Sequence, residues 1–451
     1  MTRCGWVDLF CLISFYFGFC AHLAAEPNDE FMQGFDDFSI DAEQQPVDVA
    51  KSWRFGGHLA VFGSYSLDDS DEGILKQYSG LSKLQTLLRV HGDRQSDRWR
   101  IHVEGKGFKD WFYDHQGKSH FPDSVLDEYE SELEWHEFYV EGRLTGNVDI
   151  KMGRQLLSWG RSDSLRVLDL LNPLDLREPG STDVVEIRLP VNMTRLDYSR
   201  GAWSWNLIAI HEIRFNKPPI PGSEFQPRIA PVPAEIKPSG NWAAERAFSL
   251  SGVFPGWDLS LHYAEVYEDE PYLDVTDPIT PLQKHSLLHV AGAAFNRIYG
   301  NWLLKGEYAH STGFNLAADP GNEHSRTDVL LGIEYFGFRH TQVALETSVR
   351  HLHDWQSRFA RPPDYRLRNE WLSALRLNRS FANEHASTVL VALLQGSQLN
   401  DGGIVRASLE YTPMDGLNLS IGIVLYSKGD TPPFSELGDR DRVLMGLKYS
   451  F

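Results

Sequence analysis

Cysteine is nearly missing from this chain. The three present, Cys4, Cys11 and Cys20, all fall within the first 25 of 451 residues. The rest of the chain therefore has no disulfide, no thiolate metal site and no cysteine nucleophile. Long apolar runs are missing too. After the first 25 residues no stretch reaches the eighteen or so apolar residues of a membrane helix. Excess positive charge is also lacking. The formal net charge of −19 argues against nucleic acid as a partner, since that needs basic patches. The usual catalytic signatures do not occur: there is no G-x-S-x-G elbow, no H-E-x-x-H and no phosphate loop.

What is present points elsewhere. The last eleven residues read D-R-V-L-M-G-L-K-Y-S-F, with Val443, Met445, Leu447, Tyr449 and Phe451 on one face and Leu444, Gly446, Lys448 and Ser450 on the other. This period-two pattern is a β-strand. It resembles the C-terminal recognition strand of outer-membrane β-barrels, in which Tyr449 and Phe451 would belong to the signal read by the barrel assembly machinery. At the other end, the apolar run Leu9 to Phe19, followed by Leu23-Ala24-Ala25, has signal-peptide length. The expected division is 1–25 signal peptide, 26–52 acidic periplasmic segment and 53–451 barrel. In the acidic segment, Phe31, Phe35 and Phe38 are expected to dock in the periplasmic mouth or on a periplasmic partner.

From Trp53 onward the chain repeats one theme of alternating segments joined in turn by tight and long links. Strands are expected at about 53–66, 83–91, 97–110, 132–143, 146–154, 192–200, 201–213, 243–254, 256–266, 285–298, 300–312, 326–337, 340–352, 368–380, 385–397, 402–412, 415–427 and 441–451. The expectation is all-β: a closed antiparallel transmembrane barrel of about 16–18 strands. The lower count applies if the weak segments near 83–91 and 192–213 drop out. Arg100, Glu104, Lys106, Glu346, Arg350, Arg406 and Glu410 are expected to face the lumen, because Arg or Lys at the lipid midplane costs roughly 2–4 kcal/mol. Aromatic residues near strand ends (Trp99, Trp203, Trp205, Trp242, Trp257, Trp302, Trp371, Tyr411 and Tyr449) suit two interfacial girdles. Such a wall would be surrounded by outer-membrane lipid and lipopolysaccharide.

One stretch, 155–191, does not alternate. Leu165, Leu168, Leu170 and Leu171 form an apolar strip beside many charges. Exposed at the cell surface, this strip would be costly, so the loop is expected to fold into the barrel and constrict it. The candidate pore-loop residues are Arg154, Gln155, Trp159, Arg161, Asp163, Arg166, Asn172, Asp175 and Arg177. Asp169 and Arg188 add to the charges that can pair with the wall. Alternation through Val148, Ile150 and Met152 points Arg154 outward, unless the strand ends at Gly153 or a bulge redirects it.

Gly153-Arg154-Gln155, Ser158-Trp159-Gly160, Asn172-Pro173-Leu174-Asp175 and Leu189-Pro190 resemble an uncharacterised Gram-negative outer-membrane barrel family. That family has a GRQ…SWG…NP.D…LP signature, and Gly34-Phe35-Asp36-Asp37 is similar to its N-terminal motif. The resemblance implies a divergent, shorter member. It also implies a link with resistance-nodulation-division transporters, hence a periplasmic or inner-membrane transporter component as partner and traffic in apolar molecules.

The expected function is a channel for an amphipathic or apolar small molecule, without cofactor, metal or catalytic residues. Its mixed wall charge predicts weak ion selectivity, tilted toward cations by the acidic loops. Two alternatives are a surface-binding or adhesion barrel with a filled lumen and a membrane-embedded hydrolase. His351, His353 and Asp354 could hold a metal at a rim, and Glu132, Glu134, His136 and Glu137 could act as acid or base, but solvated or structural roles fit these residue types as well. The proline-rich stretch Lys217 to Pro238 reads as a stiff surface loop.

Overall fold

The computed structural model describes residues 52–451 except 70–72, 185, 230, 240–243 and 439. The signal peptide, nearly all of the acidic segment with its three phenylalanines, and Trp242 lie outside the described residues.

Eighteen strands form one closed antiparallel sheet. In chain order they are β1 (Arg54–Ser66), β2 (Gly80–Gln95), β3 (Trp99–Asp110), β4 (Ser131–Thr145), β5 (Val148–Gln155), β6 (Val191–Arg200), β7 (Trp203–Ile210), β8 (Glu245–Phe254) and β9 (Trp257–Tyr267). The second half comprises β10 (Leu287–Tyr299), β11 (Trp302–Asn315), β12 (Glu323–Phe338), β13 (Thr341–Leu352), β14 (Asn369–Phe381), β15 (Ala386–Gln395), β16 (Gly403–Met414), β17 (Leu417–Ser427) and β18 (Arg442–Ser450). Each strand pairs with its sequence neighbours, and β18 returns to β1 with Tyr449 opposite Leu59. The Phe451 N–H donates to the Gly57 carbonyl at 2.9 Å, and Gly57 N–H returns a bond at 3.0 Å. Closure leaves no edge, so the backbone groups that lipid could not satisfy are paired within the sheet.

Both termini of the barrel lie at the end with short turns, such as 146–147, 255–256, 300–301 and 415–416. The long connections gather at the opposite, extracellular end. Both weak segments are strands, giving the upper expected count. β2 is longer than its pattern suggested, because Lys83, Gln85 and Asp93 break the apolar run while still facing inward.

The wall is apolar outside and polar inside. Ile421, Leu447 and Leu59 are 51%, 45% and 44% exposed, which in a closed barrel means exposed to lipid. Trp99, Trp203, Trp257 and Trp302 open strands, and Phe338, Tyr411 and Tyr449 lie at or near strand ends, all at the short-turn end. They form one aromatic girdle, with Phe254 stacked on Trp257 at 4.3 Å. Trp111, Trp135 and Trp371 are exposed near the other end.

The extracellular side is more structured than the polar-loop expectation. Helices α1 (Phe112–Gln116) and α2 (Asp123–Tyr129) enclose a small core of Tyr78, Phe112, Tyr113, Phe121, Val125 and Tyr129. Segments 235–236, 272–274 and 282–284 form a separate three-stranded sheet.

Candidate functional site: the lumen and its inward loop

The loop between β5 and β6 leaves the wall through a tight neck. Gly153 has φ +125°, and a Cβ there would lie 2.2 Å from the Phe138 carbonyl oxygen, so the position requires glycine. Gln155 is fully buried and donates to the Met193 carbonyl at 3.2 Å. Asn172, also fully buried, joins the two limbs. Its Oδ1 accepts from Leu157 N–H at 2.8 Å and its Nδ2 donates to the Leu189 carbonyl at 2.9 Å. The Asp169 carboxylate accepts from Trp159 N–H at 3.2 Å and pairs with Arg188 at 2.7 Å. Arg166 donates to the carbonyls of Asp169 and Asn172, each at 2.7 Å. Gln155, Trp159, Asn172 and Leu189 therefore sit together as the clasp of the loop.

The first limb packs on the inner wall. Trp159, Leu165, Val167, Leu168 and Leu171 are buried against Met193, Ile208, Ile210, Val266, Val290 and Leu330. Burying each such large apolar side chain contributes roughly 1.5–3 kcal/mol. Gly292 provides the room, since a Cβ there would come within 2.3 Å of Leu168.

Two wall carboxylates then capture the loop's backbone. Glu307 accepts from the N–H groups of Arg161, Ser162 (2.9 Å) and Leu168 (3.2 Å). Glu346 accepts from Ser162 Oγ–H at 2.6 Å and from the N–H groups of Asp163 (3.1 Å) and Ser164 (3.2 Å). Lys305 binds Asp163 at 2.6 Å and also Glu334, and Arg161 reaches Asp258 at 2.8 Å. Asp163, Glu334 and Glu346 bring carboxylate oxygens within 4.8 Å of one another. The Lys305 ammonium contacts two of the three, so it occupies the place a cation would take.

The second limb crosses to the opposite wall through ion pairs. Asp175 binds Arg177 at 2.6 Å, and Arg177 also reaches Glu132 at 2.8 Å. Burial works to raise the Asp175 carboxyl, but Arg177 holds it below the ordinary carboxylate range. Glu178 pairs with Lys83 at 2.7 Å, and Asp183 pairs with Arg376 at 3.0 Å and with Arg406. Tyr426 Oη–H donates to the Pro179 carbonyl at 2.6 Å.

A second loop also enters the mouth, which the proline-rich reading of 217–238 missed. Phe225 packs with Ile404, Val424 and Tyr426, and Glu224 forms a buried pair with Arg442 at 2.9 Å. Burial raises the Glu224 carboxyl despite that arginine. One buried acid three residues after a proline-rich turn is too weak a signal to read from sequence.

Among the residues expected in the lumen, Arg100 lies on the inner face paired with Asp93 at 2.8 Å, and Glu104 lies 3.5 Å from Arg89. Lys106 lines a cavity, Arg350 reaches the Arg166 carbonyl at 3.4 Å, and Glu410 accepts from Asn418 at 3.3 Å. Glu346 and Arg406 contact the loop as described above.

Arg154 is a correction. It stands opposite Phe138 and Asn192 on the outer face, at the extracellular end of β5. There it donates to the carbonyls of Pro190 and Trp135, each at 3.2 Å, and pairs with Glu212 at 3.3 Å. Alternation carries through Gly153, so the side chain braces the rim rather than the pore.

Glu132 is held by Arg177 and Lys217, and Glu134 by Arg214 at 3.1 Å, with His136 Nδ1 3.3 Å away. His351 binds Asn369 and His353 binds Thr327, at 2.6 and 2.8 Å. His262 reaches Ser260 Oγ at 2.8 Å, but its Nδ1 is buried without a partner and Trp159 packs edge-on at 4.8 Å. That pair lacks the third group that orients a catalytic histidine.

Between the second limb and the wall of β1–β4 and β18 lies a cavity of about 350 Å³. It is lined by charged groups and by Phe62, Leu87, Phe108 and Leu444.

A family model described as a protein of unknown function (DUF1302) matches residues 56–451. No curated protein matches the chain by sequence. Among solved structures, the Pseudomonas aeruginosa outer membrane protein OpdK is similar over 89% of this chain and 99% of its own, with TM-score 0.52 and 9% identity. OpdK with vanillate gives 0.51 and 9%, covering 89% and 98%. OccD3 (OpdP) of the same organism gives 0.50 and 8%, covering 89% and 92%. At these identities the likeness is one of fold. Together with the apolar outer wall and the closed ladder, it makes the chain a porin-like barrel of the bacterial outer membrane. The family match runs from the first barrel strand to the last residue, and the chain belongs to the DUF1302 family.

Proposed function

We propose that the protein is a passive outer-membrane channel for a small amphipathic or apolar molecule, narrowed by the loop 155–191. The observation that carries this reading is the loop's course. It enters the barrel, packs its first limb on one side of the wall, ties its second limb to the other side by ion pairs, and leaves beside that second limb a cavity with both apolar and charged lining. A constriction for small ions needs only charge or carbonyls, so an apolar lining beside charge suits a larger solute. No catalytic step belongs to this reading. Lipid and lipopolysaccharide surround the wall, and a periplasmic or inner-membrane transporter component supplies or receives the solute. The assembly machinery reads Tyr449 and Phe451. Removing Phe451 should impair assembly, and normal heat-modifiable migration of the truncated protein would overturn that part.

The surface-binding alternative draws on the second inward loop, whose Glu224–Arg442 pair helps fill the mouth. Planar-bilayer recording separates the two. The channel reading expects conductance from the intact barrel, higher conductance after deletion of 160–185, and poorer passage of the true solute in that variant. Absence of conductance both with and without the loop would put surface binding first.

A further inference from the structure

We infer that the cavity between the second limb and the wall of β1–β4 and β18 is a binding site for the head group of an amphipathic organic anion. This deepens the channel reading and rests on it for the solute's route through the barrel.

Three adjacent strands place His58, Arg89 and Lys106 side by side. His58 is the direct cross-strand partner of Arg89, and Arg89 of Lys106, and all three line the cavity. Lys448 joins them from β18, opposite Ala60. Arg89 and Lys106 are like charges directly opposite one another, an arrangement that destabilises a sheet. Structural charge rows are normally neutralised by carboxylates, and the carboxylates nearest Lys106 are held by other cations. Glu134, opposite Lys106, is bound by Arg214 and His136. Glu132 is bound by Arg177 and Lys217, and Asp175 by Arg177. Glu186, which also lines the cavity, accepts from the Thr182 hydroxyl at 2.9 Å and is one carboxylate facing the three cations Arg89, Lys106 and Lys448. Lys106 and Lys448 have no ion pair among the described residues. Arg89 Nε is buried and lies 3.5 Å from Glu104 Oε1, an ion pair without hydrogen-bond geometry.

Other cations around the same cavity are satisfied. Lys83, Arg177, Arg188 and Arg442 each have a carboxylate at 2.6 to 2.9 Å. The excess is thus local and cationic, in a chain whose net charge is −19. Apolar groups flank it: Phe62 projects from β1, Leu87 from β2 and Phe108 from β3. A simple anion would not need those walls, and a wholly apolar solute would leave the cations desolvated. A carboxylate, phosphate or sulfonate on an apolar body satisfies both.

The test uses two probes with the same body and opposite heads, phenylacetate and 2-phenylethylammonium, added to the full-length protein in planar bilayers. Phenylacetate should interrupt the current with a residence time about tenfold longer than the cation, the scale of one charge-assisted hydrogen bond. The R89Q/K106Q protein should lose that difference and K106R should keep it. Heat-modifiable migration checks folding, and if the double variant fails to fold, K448Q, at an exposed position, should shorten the residence instead. Equal residence of the two probes, or a folded neutral variant that behaves like the parent, overturns the site. If no current flows at all, the channel reading fails while the site remains testable. Equilibrium dialysis of labelled phenylacetate against the protein in nanodiscs then supports the site if binding is saturable and lost in R89Q/K106Q, and overturns it if no saturable binding occurs.

Discussion

The two limbs of the inward loop meet the barrel in different ways. Residues 157–171 lie on an apolar wall and are pinned by Glu307 and Glu346. The second limb, with Asp175, Arg177, Glu178, Thr182, Glu186 and Arg188 at the cavity, reaches the wall mainly through ion pairs. The first limb is held by buried area and by carboxylates that complete otherwise unpaired amides. The second is held by contacts that water and salt can replace. The difference teaches that one loop can be anchored firmly along one limb and loosely along the other. Local opening should therefore begin in the second limb.

The largest break in this contrast should come from E307A/E346A. Truncation leaves several loop donors without acceptors, at roughly 1–3 kcal/mol for each group that stays buried. Exchange protection of amides 161–168 should collapse and conductance should rise. Unchanged protection would mean that the two limbs are held alike. Leu168→Ala is next. A buried leucine truncated to alanine costs about 2–5 kcal/mol, and Leu168 is fully buried. Exchange should quicken in the first limb, while the cavity side stays as it was.

The second limb should respond more weakly. Asp183 pairs with Arg376 and Arg406 but is itself about a third exposed. Asp183→Asn should cost on the order of 1 kcal/mol or less. It should speed exchange at 178–187 only, and more so at low salt. A change that spreads to 161–168 would show that the limbs move as one body.

The barrel was legible because its environment acts on every strand separately. Lipid outside and a polar lumen inside force period two on β1 and β17 alike, so all eighteen strands could be marked. The inward course of the loop was legible from Leu165, Leu168 and Leu171, which had to be buried somewhere. Their contact surface was not. Glu346 reads as a lumen-facing carboxylate whether it faces water or accepts loop amides, and Glu307 carries no sequence signal that separates it from other wall carboxylates. That distinction depends on which residues more than a hundred positions away arrive beside them. The extracellular core escaped for a similar reason, since Tyr78 and Phe112 belong to different loops. Arg154 follows the alternation of β5 outward, although its neighbours Gly153 and Gln155 belong to the neck of the loop.

The smallest expected effect is one of pH, and it should touch the first limb alone. Asp269, in the connection between β9 and β10, is pushed up to about 8 by burial, with Arg166 opposing and Glu245, Glu270 and Glu268 adding to the rise. Its unfolded value is that of an ordinary carboxyl, near 4. Below that value the carboxyl is protonated whether the connection is closed or open, and pH has no effect. Between about 4 and 8 the open form releases a proton that the closed form keeps, so closure weakens steadily as pH rises. Above 8 both forms are ionised and the loss is complete. Arg166, which donates to the Asp169 and Asn172 carbonyls, would then be drawn toward the new charge, and this is the path by which the loop senses it. Because that path is indirect, exchange at 161–168 should rise only modestly between pH 5 and 9, after correction for intrinsic rates, and D269N should flatten the rise. A rise of equal size at 178–187, or one that survives in D269N, would assign the pH response to the ion pairs of the second limb.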